Sequence, residues 1–377
     1  MLAFENGVLV HRGVDFTVGA DIHTISENQV SVTDYHSSSR RGYENMRVGT
    51  AEGRTVGVEL ELTFRDSRTA ERATKEVSRA VISAGIGESQ FSIERDGSLT
   101  HGFEVVMPYG EVTDYLAYLE IMLKNPIFNH VDFGNGTAGL HVNVARDRRT
   151  TSGFYFVLEN LFSETALCDN SSYTSYSDHL VTTFGLRTES RFARLFSNDH
   201  IVEDIHRLDR GTTPYDDKYR AINFRSSFEG TAEFRLFNPT VNFNDLKLRV
   251  LLSHAAVEYA AFITSEYNTA ALLRERLSMS AESSWPLFYS WLKDIERYKP
   301  IAEKLVEDED FVNAVDALTP APVTSPPVVM SHPSFTARYG SATTVPVYPR
   351  DLVVGGGEVV DGTFETGTIP VVFGGIR

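Results

Sequence analysis

The sequence predicts an α+β fold, a largely antiparallel sheet backed by helices. Three observations point to it. Several short segments alternate apolar and polar residues with a period of two, as half-buried strands do. Others repeat apolar residues every three or four positions, the spacing of a helix with one face on a core. The two kinds of segment are interleaved and separated by glycine-, proline- and aspartate-containing turns.

Residues 1–52 begin with a strand-like stretch and continue into "SVTDYHSSSRRGYENMRVGTAEG", a run of turn formers that reads as an N-terminal extension. "VGVELEL" (56–62) is the first clear strand. "DSRTAERATKEVSRAVISAG" follows as a helix of roughly four turns, with Asp66 or Ser67 as its cap and Gly85 as its stop. "FSIERDGSLTHGFEVVMP" (91–108) reads as two strands joined by a turn at "DGS", and "EVTDYLAYLEIMLKNP" (111–126) as a helix ended by Asn125-Pro126. "TAGLHVNVAR" (137–146) is another alternating strand. From 151 to 210 the chain is mostly helical, with "TSGFYFVLENLFSETAL" and "ESRFARLFS" as its clearest segments. "YRAINFRSSFEGTAEFRLFNPTVN" (219–242) returns to strands. "NDLKLRVLLSHAAVEYAAFITSE" repeats apolar residues at 248, 251, 252, 255, 256 and 259, which predicts a long helix, and further helices run to about 317. Residues 318–377 are proline- and glycine-rich and read as an extended C-terminal tail, leaving 53–317 as the folded domain.

Composition bounds the partners. The chain has 377 residues, 42% of them hydrophobic, and a formal net charge of -16. That charge repels nucleic acids and anionic membranes, so neither is expected as a partner. Glu5 interrupts the opening where a secretory peptide would be apolar, and no run is long enough to span a bilayer; a cytoplasmic location is the expectation. The single cysteine, Cys168, sits among apolar neighbours and reads as a small buried hydrophobe.

The polar positions of the strands are unusual. Glu59 and Glu61 share one face of their strand, and Val56, Val58, Leu60 and Leu62 the other. Glu104 alternates with Phe103 and Val105, His141 and Asn143 with Leu140, Val142 and Val144, and Glu233 and Arg235 with Ala232, Phe234 and Leu236. An antiparallel sheet with one face in water explains any single strand. Together, so many acids on one concave face would repel by several kcal/mol per pair at about 4 to 5 Å, unless protonated or bridged by cations. Hard oxygen ligands with one imidazole and no thiolate suit Mg²⁺ or Mn²⁺ better than a structural zinc.

Four ordered segments, "GVELEL", "ERDGSLTHGFEVVMP", "GLHVNV" and "AEFRLFNPTVN", resemble the amidoligases, carboxylate-amine ligases with the catalytic fold of glutamine synthetase and glutamate-cysteine ligase. The resemblance covers about residues 55–260 and implies a curved sheet whose concave acidic face binds ATP and Mg²⁺ or Mn²⁺, with helices behind it. It implies amide formation through an acyl phosphate, from a small-molecule or peptide substrate offering a free carboxylate and amine. By carry-over, Glu59, Glu61 and Glu233 would bind metal. Asp96 and Glu104 would bind a second metal or take a proton from the attacking ammonium. His141 would contact metal or nucleotide phosphate, and Arg235 would hold the transferring phosphoryl group. The family commonly has a second histidine where this chain has Asn143. Asp96 stands where glutamine synthetases have glutamate, with a shorter reach.

Arg220 and Arg225, just upstream of the Glu233 strand, are candidates for gripping ATP phosphates or a substrate carboxylate, or are ordinary loop arginines. "FGNGTAG" (133–139) is either a phosphate-cradling loop or a tight turn. Trp285 and Trp291 read as core or interface residues, and His179, His200, His206 and His254 lack metal spacing. Two rival functions remain open: an inactive phage or viral accessory protein that keeps the fold and binds a partner through its tail, and a metal-dependent amide hydrolase with no nucleotide requirement. Related synthetases form rings, and an oligomer stays open here.

Overall fold

The computed structural model describes residues 54–87, 90–134, 136–146, 151–168, 175–209, 219–224 and 230–318, with the backbone of three strands nearer the N-terminus. The rest of the N-terminal extension and the C-terminal tail lie outside the described residues. The architecture is α+β, with a mostly antiparallel open sheet and helices.

Strands Leu2–Glu5 (β1) and Val8–His11 (β2) form an antiparallel pair of their own. The main sheet has eight strands: Arg47–Val48 (β3), Thr55–Thr63 (β4), Ser92–Glu94 (β5), Gly102–Val106 (β6), Tyr109–Glu111 (β7), Leu140–Ala145 (β8), Ile222–Asn223 (β9) and Thr231–Phe237 (β10). Their order is β3-β7-β4-β8-β10-β9, with β6 beside β4 and β5 beside β6. Only the short β3–β7 pairing is parallel. Alternation along β4 sends Val56, Val58, Leu60 and Leu62 into the core, where they join Phe103 and Val105, Leu140, Val142 and Val144, and Phe234. Each such side chain contributes about 1.5–3 kcal/mol by burial.

Helices Ser67–Ser83 (α1) and Val112–Leu123 (α2) pack on β6 and β4. Asp66 caps α1 by accepting a hydrogen bond from Thr69 N at 2.8 Å, and Gly85 ends that region with φ of 94°, a left-handed backbone open to glycine. Between β8 and β9 lie Ser152–Leu161 (α3), Glu164–Leu167 (α4), Ser177–Phe184 (α5) and Asn198–Asp209 (α6). Phe243–Glu266 (α7), the predicted long helix, is buried along much of its circumference. It meets β8 and β10 as well as α2, α3 and the later helix Ala281–Leu292 (α9). Ala270–Leu277 (α8), Lys299–Leu305 (α10) and Glu309–Leu318 (α11) complete the helical part. Trp285 is fully buried and donates from Nε1 to Leu161 O at 2.7 Å, and Trp291 is buried beside Tyr259 and Phe288. Among the described residues no helix is long and apolar enough to cross a membrane.

Two expectations fail locally. "ESRFARLFS" is not helical. Arg194 N donates to Tyr219 O at 2.8 Å and Ala221 N to Arg194 O at 2.7 Å, while Phe196 bridges to Ser163. Ala193, Leu195 and Phe196 are buried all the same, so burial without a helix produced the helix-like spacing. The single helix expected over 151–167 is split at Phe162. Ser163 there accepts from Ala166 N at 3.2 Å and caps α4, having found a competing partner in the backbone.

β4 changes neighbours partway along. Thr55 and Val56 pair with β7, whereas Glu59 through Thr63 pair with β6. The Val58 N–H at the crossing donates instead to the buried hydroxyl of Tyr115 at 2.8 Å. Tyr115→Phe removes only that oxygen and strands a buried donor, which costs about 1–3 kcal/mol. Urea denaturation should show that loss as a lower midpoint with an unchanged slope.

Candidate metal centre

Strand register brings the predicted acids together. Glu59 lies opposite His141, Glu61 opposite Glu104, and Glu233 opposite Asn143, so polar positions on β4, β6, β8 and β10 adjoin on one face. His141 sits among them. Its Nδ1 is 3.2 Å from Glu59 Oε2, 3.8 Å from Glu104 Oε1 and 3.7 Å from Glu233 Oε1, and its Nε2 is 3.5 Å from Glu61 Oε1. Glu61, Glu104, His141 and Glu233 are buried, and Glu59 is partly exposed. One ligand atom each from Glu59, Glu104 and His141 fall within 4.8 Å of one another.

Hydrogen bonds fix the carboxylates. Asn143 Nδ2 donates to Glu59 Oε1 at 3.0 Å, Asn223 Nδ2 to Glu233 Oε2 at 2.7 Å, and Gly139 N to Glu61 Oε2. Arg235 Nη1 donates to Glu233 Oε1 at 2.5 Å. Asn143 therefore orients an acid of the group.

The electrostatics follow from burial. Desolvation pushes Glu104 well above the ordinary carboxyl value of 4.5, and the charges of Glu59 and Glu61 add to it. Glu59 is raised for the same first reason, with Arg235 opposing. Burial, aided by Arg235, lowers His141 to about 4, so its imidazole is neutral at pH 7 and keeps a lone pair for a metal. A donor set of carboxylates and one neutral imidazole fits a hard divalent cation such as Mg²⁺ or Mn²⁺. The raised Glu104 fits it too, because the acids carry more negative charge than Arg235 offsets.

The remaining predicted residues divide. Asp96 lies in the β5–β6 turn, accepts from Ser98 N at 2.7 Å, and is near enough for its charge to raise Glu104. Arg220 is committed instead to Asp204, 2.7 Å away and buried, with its guanidinium over the Phe196 ring; that pairing makes it a packing residue, not a free phosphate clamp. Arg225 lies outside the described residues. Sequence reading missed Glu94, which pairs in register with Glu104, and Asn223, which orients Glu233. "FSIE" carried the period-two signal for Glu94, but Asn223 had none, since its strand is two residues long. Arg187 was also missed. Its Nη1 donates to Ala138 O at 3.1 Å and its Nη2 to Arg235 O at 2.7 Å, and its charge acts on His141. A Cβ on Gly139 would lie 2.5 Å from Arg187 Nη2, so glycine is required for that approach.

A scan against models of known protein families finds no match to this chain, and a search of curated proteins finds none either.

Glu104 gives the centre a testable pH dependence. With its carboxyl raised above 4.5, the metal-free folded state binds a proton that the unfolded chain has already released. Stability contributed by this group is therefore present at low pH and falls as pH rises above 4.5. Glu104→Gln removes that slope. Without metal at pH 8 the variant should melt several degrees above wild type, at roughly 2–4 °C per kcal/mol recovered. Wild type should gain Tm on addition of Mg²⁺ and the variant should not, which differential scanning fluorimetry at two pH values would read.

Proposed function

We propose that the protein is an ATP- and Mg²⁺-dependent ligase that joins a carboxylate to an amine, on a sheet of the glutamine synthetase type. The observation that carries this reading is the convergence of Glu59, Glu61, Glu104 and Glu233 around a neutral His141, with Arg235 on the same face. In such a reaction the γ-phosphoryl of ATP passes to a carboxylate oxygen, giving ADP and an acyl phosphate. The amine nitrogen then bonds to the acyl carbon, phosphate leaves, and the ammonium proton goes to a base. Phosphoryl transfer asks the protein for positioning and charge stabilisation more than for covalent help.

Each residue has a role that its surroundings support. Glu59, Glu61, Glu104, Glu233 and His141 would hold Mg²⁺ or Mn²⁺, in one or more sites. When bound, the cations would draw phosphate oxygens together and offset their charge. Arg235, held by its hydrogen bond to Glu233, would offset charge that develops on a transferring phosphoryl group. Glu104 has a raised affinity for protons and lies near Asp96, which makes it the better placed of the two to receive the ammonium proton. Asn143 and Asn223 keep Glu59 and Glu233 in place. Drawing on ATP, the reaction belongs in the cytoplasm of a bacterial or phage-infected cell.

The test is phosphate release from ATP and Mg²⁺ in the presence of a panel of amino acids and peptides. Wild type should show acceptor-dependent release, and Glu59→Ala and Arg235→Ala should each lower it at least ~100-fold. No acceptor-dependent release by wild type, or unchanged rates in both variants, would remove the proposal. Metal-dependent ATP binding without turnover would favour the accessory protein, and metal-dependent amide cleavage without ATP the hydrolase.

A further inference from the structure

The β8–β10 ladder shifts its register opposite His141. Phe234 faces Val142 and Phe237 faces Leu140, so two residues, Arg235 and Leu236, stand against the single residue His141. Such a β-bulge re-aims a side chain and leaves ladder groups in need of other partners. Arg187, just beyond α5, supplies them. Its backbone N–H donates to Leu236 O at 2.6 Å and its Nη2 to Arg235 O at 2.7 Å, so one residue holds both carbonyls of the bulge. Its Nη1 donates to Ala138 O at 3.1 Å, and the next residue, Gly139, donates from its N–H to the Glu61 carboxylate and accepts from Glu61 N at 3.3 Å.

An arginine kept for stability alone would be poorly placed here. Its Nε is buried without a hydrogen-bond partner, whereas buried donors are nearly always satisfied, and its charge acts against that of Arg235. We propose that Arg187 is a positioning residue of the metal centre: by tying the β10 bulge to the entry of β8, it fixes Arg235 and Glu61 on the face where a divalent cation would bind. A planar guanidinium suits that task, because its donors point in fixed directions and set two segments at one distance and angle. Gly139 belongs to the same device, since a Cβ there would lie 2.5 Å from Arg187 Nη2 and push the guanidinium away. The inference deepens the metal-dependent part of the ligase reading and rests on it.

The experiment is Mn²⁺ binding to the full chain without nucleotide, read from the electron paramagnetic resonance signal of the free ion well below each variant's melting temperature. Charge and position predict opposite signs. Arg187→Gln removes a cation that acts on Glu61 and His141, and by charge alone that change tightens Mn²⁺. Loss of positioning weakens it instead, by roughly 10–100-fold, the usual effect of removing a residue that orients metal ligands. Gly139→Ala keeps the arginine but displaces its guanidinium, so it should weaken Mn²⁺ too, and the double variant should be little worse than the poorer single one. The proposal is overturned if either single variant, folded by near-UV circular dichroism, binds Mn²⁺ as tightly as wild type or more tightly, or if the two losses simply add. Should Arg187→Gln fail to fold, Gly139→Ala decides alone. Wild type that binds no Mn²⁺ removes the metal centre, the ligase reading and this inference together, whereas unchanged or tighter variants remove this inference only.

Discussion

Crowding of like charge is the constraint on which the rest of this structure depends. Glu59, Glu61, Glu104 and Glu233 occupy polar positions on neighbouring strands, and Glu94 adds another in register with Glu104. At short range in a poorly solvated site each pair repels by several kcal/mol if both ionise. The fold contains the repulsion in three ways. A neutral imidazole occupies the middle, Arg235 neutralises one side, and burial with the neighbouring charges shifts Glu104 toward its neutral form. None of these removes the excess negative charge, so the face is better suited to a state with a cation than to one without.

The scaffold makes that arrangement affordable by burying the opposite face of the same strands. β4 is the pivot, because it pairs with β6, β7 and β8 and its alternate residues enter the core. Register is therefore doubly specified. A slip of one residue would place Glu59 and Glu61 against α2 and expose Val58 and Leu60, losing the core and the site together. The Tyr115 hydroxyl belongs to this logic, since it accepts from the Val58 amide where the strand changes partners.

Much of this was legible because period-two alternation assigns face without any knowledge of partners. Glu59, Glu61, Glu104, His141, Glu233 and Arg235 could all be placed on one side of their strands from sequence, and the register brought them together. What escaped was whatever depends on tertiary pairing. Residues 189–197 carry apolar spacing fit for a helix, but their backbone finds partners at 219–221 and at Phe162 and Glu164. Arg187 sits in no motif, and only the close approach over Gly139 gives it meaning. Arg220 misled for the same reason in reverse: its place in the chain beside the Glu233 strand did not reveal that Asp204, from α6, was its partner.

That second ionic cluster also shows why acidity alone does not define a site. Glu159 and Asp204 are buried, as deeply as any acid of the candidate metal centre, and burial with the Asp204 charge raises Glu159 well above the ordinary carboxyl value. Yet Arg220 offsets Asp204 within the same group, the ring of Phe196 covers the guanidinium, and the acids come from helices α3 and α6 rather than from a sheet face. Arg220 thus pairs directly with one of these acids, and burial shifts the other toward its neutral form. The sheet face differs in the balance of charge and in the imidazole set among its acids. It is this uncompensated remainder, more than the number of carboxylates, that gives the β4–β8 face a reason to recruit a cation and makes it the place to look for chemistry.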